Sequence, residues 1–227
     1  GDVICLQEIK LGFIDRRLVR SIWGCSYVGW SNLASQGASG GVLLMWDKRV
    51  VEAIEECVGE FLVSILFKDV NDGWEWAFVG CYGPNMDSER RRLWEELAGI
   101  YSLWDVSWCM GGDFNCTRFP SERSGHHRHT RAMEEFSEFI FDLDLMDLPL
   151  VGGEYTWSNG RAWSKLDRFL VSPSWKAHYL EVSQKRLPRV SSDYFSILLD
   201  CGGIHRGRRY FKFENMWLTA NGFVETV

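Results

Sequence analysis

Residues 106–115 read Val-Ser-Trp-Cys-Met-Gly-Gly-Asp-Phe-Asn. The stretch 106–111 is apolar and β-branched or aromatic rich, so it reads as a strand. The glycine pair that closes it makes a turn and leaves a carboxylate, Asp113, and an amide, Asn115, at the strand end. Strand ends are where α/β architectures collect their functional groups. Three more short clusters sit at strand ends: Gln7-Glu8, Leu166-Asp167-Arg168 and Ser192-Asp193.

Working outward, further strand-like runs occur at 2–7, 25–30, 41–46, 50–57, 60–67, 75–82, 166–171 and 196–199. Two segments carry helical spacing. In 88–104 the repeat is Leu93, Leu97, Ile100, Tyr101 and Trp104, with Asp87 or Ser88 as the cap. In 131–143, Phe136, Phe139, Ile140 and Leu143 oppose Glu134, Glu135 and Glu138. Consecutive strands with short connections imply mostly antiparallel pairing. Two packed sheets flanked by helices, a four-layer α/β sandwich, would bury the twelve tryptophans.

With 227 residues, 46% of them hydrophobic, the chain has material for one large domain, placed at 1–200. Beyond it, Gly202, Gly203, Arg206, Gly207, Arg208 and Arg209 mark 201–227 as a basic linker. The chain opens directly into the apolar run Asp2-Val3-Ile4-Cys5-Leu6, and a domain rarely begins inside its own core, so the start reads as a truncation. No apolar run approaches the ~20 residues that span a bilayer, which argues against a membrane partner. Seven scattered cysteines without C-x-x-C spacing fit neither a disulfide framework nor a zinc knuckle, and point to an intracellular, reducing compartment. The net charge of −6 is not that of a global polyanion binder, so a nucleic-acid partner requires a local basic face.

Each cluster has an ordinary reading as well as a chemical one. Glu8 suits an exposed residue after a strand, Asn115 an Asx turn, Asp167 a surface pair with Arg168, and Asp193 a turn after two serines. Together, carboxylates and an amide at strand ends suit a hard cation such as Mg²⁺, which takes one or two carboxylates and completes its shell with water and phosphate oxygens. His126, His127 and His129 lack a partner at ligand spacing and read as a solvated loop.

The segments CLQEIKL (5–11), GCYGPN (80–85), GGDFNCTRFPSERSG (111–125), EFSEFIFDLDLMDLPLVGGEYTWSN (135–159), KLDRFLVSPSW (165–175) and RLPRVSSDYFSILLD (186–200) resemble the endonuclease/exonuclease/phosphatase superfamily, the DNase I-like fold. The closer resemblance is to the endonuclease domain of plant LINE-type retrotransposons, with RYFKFENMWL (209–218) similar to the connector leading to a reverse transcriptase. An inositol-phosphate phosphatase is disfavoured, because that branch carries tryptophan-cysteine-aspartate-arginine where this chain has Lys165-Leu166-Asp167-Arg168. The resemblance implies a Mg²⁺-dependent (or Mn²⁺-dependent) hydrolase that nicks DNA, nuclear when functional, with no obligate protein partner. It implies Glu8 and Asp193 at the metal, Tyr82 near the scissile phosphate, and Asp113 with Asn115 around the attacking water. Asp167 corresponds to the aspartate that orients a catalytic histidine, while Asn85 and Trp157 fall in substrate-reading loops. A first strand bearing a site asparagine would precede Gly1.

One departure stands at the centre of that pattern. Where the family reads Ser-Asp-His, this chain reads Ser192-Asp193-Tyr194. A histidine there carries positive charge near neutral pH, whereas a tyrosine, with a reference pKa of ~10, does not. The expectation is therefore an enzyme impaired by Tyr194 and by the truncated start. The alternatives are an inactive relic or a binding module using its tryptophan-rich surface.

Overall fold

Strand β5 (Leu62–Asp69) shows how the layers form. The computed structural model describes residues 2–202 except 36–39, 126, 180 and 190–191. Along β5, Leu62 faces one core while Val63, Ile65 and Phe67 face another. The next strand, β6 (Glu75–Tyr82), alternates likewise, Ala77, Val79 and Cys81 against Trp76 and Phe78. A period of two thus supplies apolar side chains to both faces of one sheet.

That sheet has six strands in the order β4-β5-β6-β7-β12-β8, with β4 at Val51–Val58, β7 at Ser107–Asp113, β8 at Met146–Asp147 and β12 at Asp167–Val171. Only β6 and β7 pair in parallel, because the helix α2 (Asp87–Tyr101) crosses between them. α2 and α3 (Arg131–Asp142) cover one face, where Leu93, Leu97, Phe136 and Ile140 meet Val79, Met110 and Leu170. A three-stranded sheet of β1 (Val3–Gln7), β3 (Val42–Asp47) and β2 (Val28–Leu33) packs on the other face through Val42, Leu44 and Trp46. The opposite side of β3, Leu43 and Met45, is covered by α1 (Arg16–Trp23) through Val19. The order helix, sheet, sheet, helix is the expected four-layer α/β sandwich.

The remaining elements lie around this frame: the hairpin β10 (Trp157–Ser158) and β11 (Trp163–Ser164), the short helix α4 (Pro173–His178), and a second three-stranded sheet of β14 (Ile197–Asp200), β13 (Ser183–Arg186) and β9 (Leu150–Val151). No described helix is long and apolar enough to cross a membrane.

Some sequence expectations need correction. The run expected at 25–30 forms a strand only from Val28, and the helix expected over 88–104 ends at Tyr101. Neither Asp87 nor Ser88 caps α2. The cap position is Met86, and the Asp87 carboxylate instead pairs with Arg90 one turn on. α1 and β13 were not anticipated. Arg-Arg-Leu-Val-Arg-Ser-Ile-Trp and Ser-Gln-Lys-Arg are too polar to announce themselves, and each is held by neighbours rather than by its own pattern. The linker at 201–227 lies outside the described residues beyond Gly202.

Among the described residues β1 and β14 are each paired on one side only, to β3 and β13, and both line a cavity of about 1180 Å³ that reaches Asp113 and Asp167 at one end of the sheets. Amides with no strand partner open to solvent far more readily than those in the middle of a sheet. In native-state hydrogen exchange, β6 and β7 should therefore form the slowest set, and the cavity-facing amides of β1 and β14 a distinctly faster one. Uniform protection across all four strands would contradict this ranking.

Candidate active site

Register places the site. Tyr82 is paired with Asp113 across β6 and β7, and Asp113 with Asp167 across β7 and β12, so the three lie in one row at the end of the six-stranded sheet. The strand before Asp113 carries glycines for a reason visible here. A Cβ at Gly112 would stand 2.1 Å from the Cys81 carbonyl oxygen and 2.9 Å from the Gln7 amide nitrogen, and the residue has φ +154°. Its bare backbone lets Gln7 of the opposing sheet reach in, where the Gln7 Oε1 accepts the Asp113 N–H at 3.1 Å.

After Asp113 the chain drives Phe114 into the helical layer beside Trp94 and then turns left-handed at Asn115, φ 48°. Asparagine tolerates that conformation better than most residues. The turn brings the Asn115 N–H back to Asp113 Oδ1 at 2.7 Å, while its side-chain amide donates to the Gly83 carbonyl at 2.6 Å. Glu8, also left-handed with φ 54°, follows β1 and accepts the Tyr82 hydroxyl at 3.0 Å. Glu8, Tyr82, Asp113, Asn115 and Asp167 thus converge, though they are drawn from both sheets.

The electrostatics of the row are unusual. Asp113 and Asp167 are both buried, and each keeps one carboxylate oxygen, Oδ2, without a hydrogen-bond partner. Burial lifts the Asp113 pKa to about 6, with the Glu8 charge adding to the rise and the Asn115 N–H opposing it. Burial and the neighbouring Asp113 charge raise Asp167 well above the carboxylate range, although the hydroxyl of Thr156 and the charge of Arg168 ease it back. The Tyr194 hydroxyl leans toward Asp113 and favours its ionised form, without a bond of good geometry to the orphaned oxygen. Burial and that same carboxylate push the Tyr194 phenol up, so it stays neutral.

Other expected residues are placed differently. Asp193 is exposed and paired with Arg189 at 2.9 Å. Asn85 is exposed on the loop after β6, and only its carbonyl is engaged, by Arg90. Trp157 is half-buried and bridges by backbone to Tyr194, beside the row. Asp167 makes no pair with Arg168, whose side chain points to the other face of β12 and is buried between Glu122 and Asp147, over the Phe136 ring. His127 and His129 are exposed and do not converge.

Two residues that organise the site had no sequence signal. Thr156 is fully buried, and its hydroxyl accepts the N–H groups of Leu166 and Asp167 at 2.9 and 3.0 Å. Its carbonyl accepts the Phe195 N–H at 2.7 Å, which docks the segment carrying Tyr194. Arg90, buried at the start of α2, donates to the carbonyls of Asn85 at 3.0 Å and Asn115 at 2.8 Å, joining the two loops that flank Tyr82. In sequence it looks like one of three solvated arginines.

The residues fit a hard cation. Glu8 offers a carboxylate at the rim, and two buried carboxylate oxygens nearby lack partners. Among the described residues no three His, Cys, Asp or Glu side chains form a complete protein cage. That is a donor set for an ion which keeps water and phosphate oxygens in its shell.

A sheet-end carboxylate row in a two-sheet sandwich defines a class of hydrolase, and the sequence assigns the chain to it. It belongs to the Endonuclease/Exonuclease/phosphatase family, whose profile matches residues 1–193. Among solved structures it is similar to the endonuclease domain of TRAS1, a telomere-specific non-LTR retrotransposon, with 14% identity and a TM-score of 0.66 over 88% of this chain and 84% of that one. It is also similar to the human Nocturnin catalytic domain (14% identity, TM-score 0.59, 87% and 79% of the two chains). A third is a mannosyl-6-phosphatase from Bacteroides thetaiotaomicron (13% identity, TM-score 0.57, 88% and 84%). No curated protein matches the chain. At such identities the likeness is one of fold, and three different names on one fold leave the substrate to be argued from the site.

The raised carboxylate pKa values carry a stability signature. A carboxyl group that holds its proton more tightly when folded destabilises the fold as pH rises through the interval between its unfolded and folded values, here about 3.8 to about 6 for Asp113. At ~1.4 kcal/mol per tenfold change in proton affinity, Asp113→Asn should stabilise the protein by up to about 3 kcal/mol at pH 7. The gain should shrink toward zero below pH ~4. Urea unfolding of both proteins across pH 4–7 checks it, and a pH-independent difference would contradict the burial argument.

Proposed function

We propose that this chain is a metal-assisted phosphodiesterase of the DNA-nicking kind, impaired at one position. The observation that carries the reading is the row of Asp113 and Asp167, each with a buried, unpartnered oxygen, facing a neutral Tyr194. Two adjacent buried carboxylates need a cationic neighbour to be ionised together. A phosphodiester reaction also needs a group to prepare water and donors for the non-bridging oxygens.

Glu8 would hold Mg²⁺ or Mn²⁺, with the Tyr82 hydroxyl fixing its carboxylate. When bound, the ion supplies charge neutralisation at the phosphate. Asp113, oriented by the Gln7 side chain and the Asn115 N–H, accepts a proton from water in its ionised form. The Asn115 side-chain amide donates to the Gly83 carbonyl and also faces the Tyr82 hydroxyl, which fixes it beside the row. Asp167 is placed to stabilise a cation beside Asp113, and tyrosine provides none. Tyr194 offers one hydroxyl hydrogen without charge, so the developing negative charge loses its strongest donor. The retained but under-equipped row favours an impaired enzyme over a plain interaction module, for which buried carboxylates have no use.

Nicking of supercoiled plasmid with Mg²⁺ should be near background for this chain. Tyr194→His should raise it by roughly 10²-fold or more, the usual weight of a positioned acid–base group. Asp113→Asn in that background should remove the gain and so exclude a contaminating nuclease. Robust EDTA-sensitive nicking by the unmodified chain, lost on Asp113→Asn, would overturn the assignment of damage to Tyr194.

The ion can be tested without turnover. Calorimetric titration with Mg²⁺ should show weaker binding for Glu8→Gln and unchanged binding for Asp193→Asn, since Asp193 is turned to Arg189. Equal affinity of Glu8→Gln and the parent chain would remove Glu8 from the site.

A further inference from the structure

The segment that leaves Glu8 has a surface unlike the rest of this acidic chain. Lys10, Arg16, Arg17 and Arg20 are exposed, and none forms an ion pair among the described residues. The one acid between them, Asp15, is occupied in capping α1, its carboxylate accepting the Leu18 N–H at 2.8 Å. Ile14 and Val19 anchor the segment by packing against Leu43 and Met45, which turns the arginines outward. Four unpaired cations on a chain of net charge −6 form the local basic face that a polyanion partner requires.

Charge alone describes many solvated helices. What separates this one is Phe13, 80% exposed, between Lys10 and Arg16 on the loop that joins Glu8 to α1. An apolar ring held in water contributes nothing to the core. An exposed aromatic amid unpaired cations is the pattern by which proteins hold nucleic-acid strands, the ring against a base and the cations on phosphates. Lys10 stands two residues from Glu8 in a left-handed backbone, φ 50°, so the basic face begins at the catalytic row.

We infer that loop 9–15 and the outer face of α1 form a nucleic-acid grip, in which Arg16, Arg17 and Arg20 take the phosphates of one strand and Phe13 takes the face of an unpaired base beside the cut. This rests on the proposed action on DNA. It adds that the preferred substrate carries an unpaired base next to the scissile bond.

The test separates the grip from the chemistry by measuring binding in EDTA, without turnover. Fluorescence anisotropy of the full chain would use a labelled DNA duplex and the same duplex with one central unpaired base. Arg16→Ala/Arg17→Ala/Arg20→Ala should weaken both and flatten the salt dependence by about 2.7 in slope, since each of the three phosphate contacts contributes ~0.9. Phe13→Ala should weaken the bulged DNA by about tenfold, leaving the plain duplex and the salt slope unchanged. Arg131→Ala, on a helix of the opposite layer and paired with Glu135, should change nothing. All the altered side chains are exposed, and thermal melts confirm that each variant is folded. An unchanged salt slope in the triple variant, or equal losses on both DNAs with Phe13→Ala, would overturn the grip. Normal binding with no nicking even after Tyr194→His would instead overturn the nuclease reading and leave the grip standing.

Discussion

Two carboxylates, Asp113 and Asp167, are buried side by side in paired strands, and among the described residues no cationic side chain pairs with either. Desolvating an ionised carboxylate is costly unless hydrogen bonds or opposite charge compensate. Compensation here comes mostly from neutral donors, the Asn115 N–H at one oxygen of Asp113 and the polar surroundings of Thr156 near Asp167, with the charge of Arg168 adding a smaller share. The nearest arginine in sequence, Arg168, is directed to the other face by the alternation of β12 and is used there, between Glu122 and Asp147. The row therefore retains proton affinity that an ordinary surface carboxylate lacks, and two oxygens still to be satisfied.

The same row is also the seam between the two sheets. Gln7 and Glu8 come from the three-stranded sheet, while Tyr82 and Asp113 belong to the six-stranded one. Two hydrogen bonds, Gln7 to the Asp113 backbone and Tyr82 to Glu8, join the layers at this end. Away from that end the layers are held by apolar packing, Trp46 of the three-stranded sheet against Phe67 of the six-stranded one. Aromatic packing sets the spacing of the sheets, and polar bonding sets their alignment where chemistry requires it.

On this scaffold the identity of residue 194 decides how the row behaves. The segment carrying it is docked by backbone bonds, Ser158 to Asp193 and Phe195 to Thr156, that do not depend on its side chain. A histidine or a tyrosine is therefore presented to Asp113 by the same backbone, and the difference between them is charge. That separation of positioning from chemistry lets the side chain at 194 change the charge facing Asp113 without disturbing the backbone that presents it.

Much of this was legible in the sequence. Strand-like runs over 60–67 and 75–82 announced the central strands, the first two residues early, and helical spacing at Leu93, Leu97 and Ile100 announced α2, because local pattern and burial agree there. Asp113, Asn115, Asp167 and Glu8 were identifiable because strand ends punctuated by glycine and polar residues mark themselves, whereas Tyr82, and Tyr194 as a departure, were visible only through the family resemblance. Sequence did not reveal Thr156 or Arg90, whose value lies in which backbone groups they reach, nor that Asp193 turns to Arg189. It placed Asp167 beside Arg168 in the chain, while the pleat put them on opposite faces. Residue types and their order determined which groups this protein brings to its site; strand register and the packing of two sheets decided which of those groups meet, because a hydrogen bond or a shared desolvation acts over a few ångströms that only the folded chain sets.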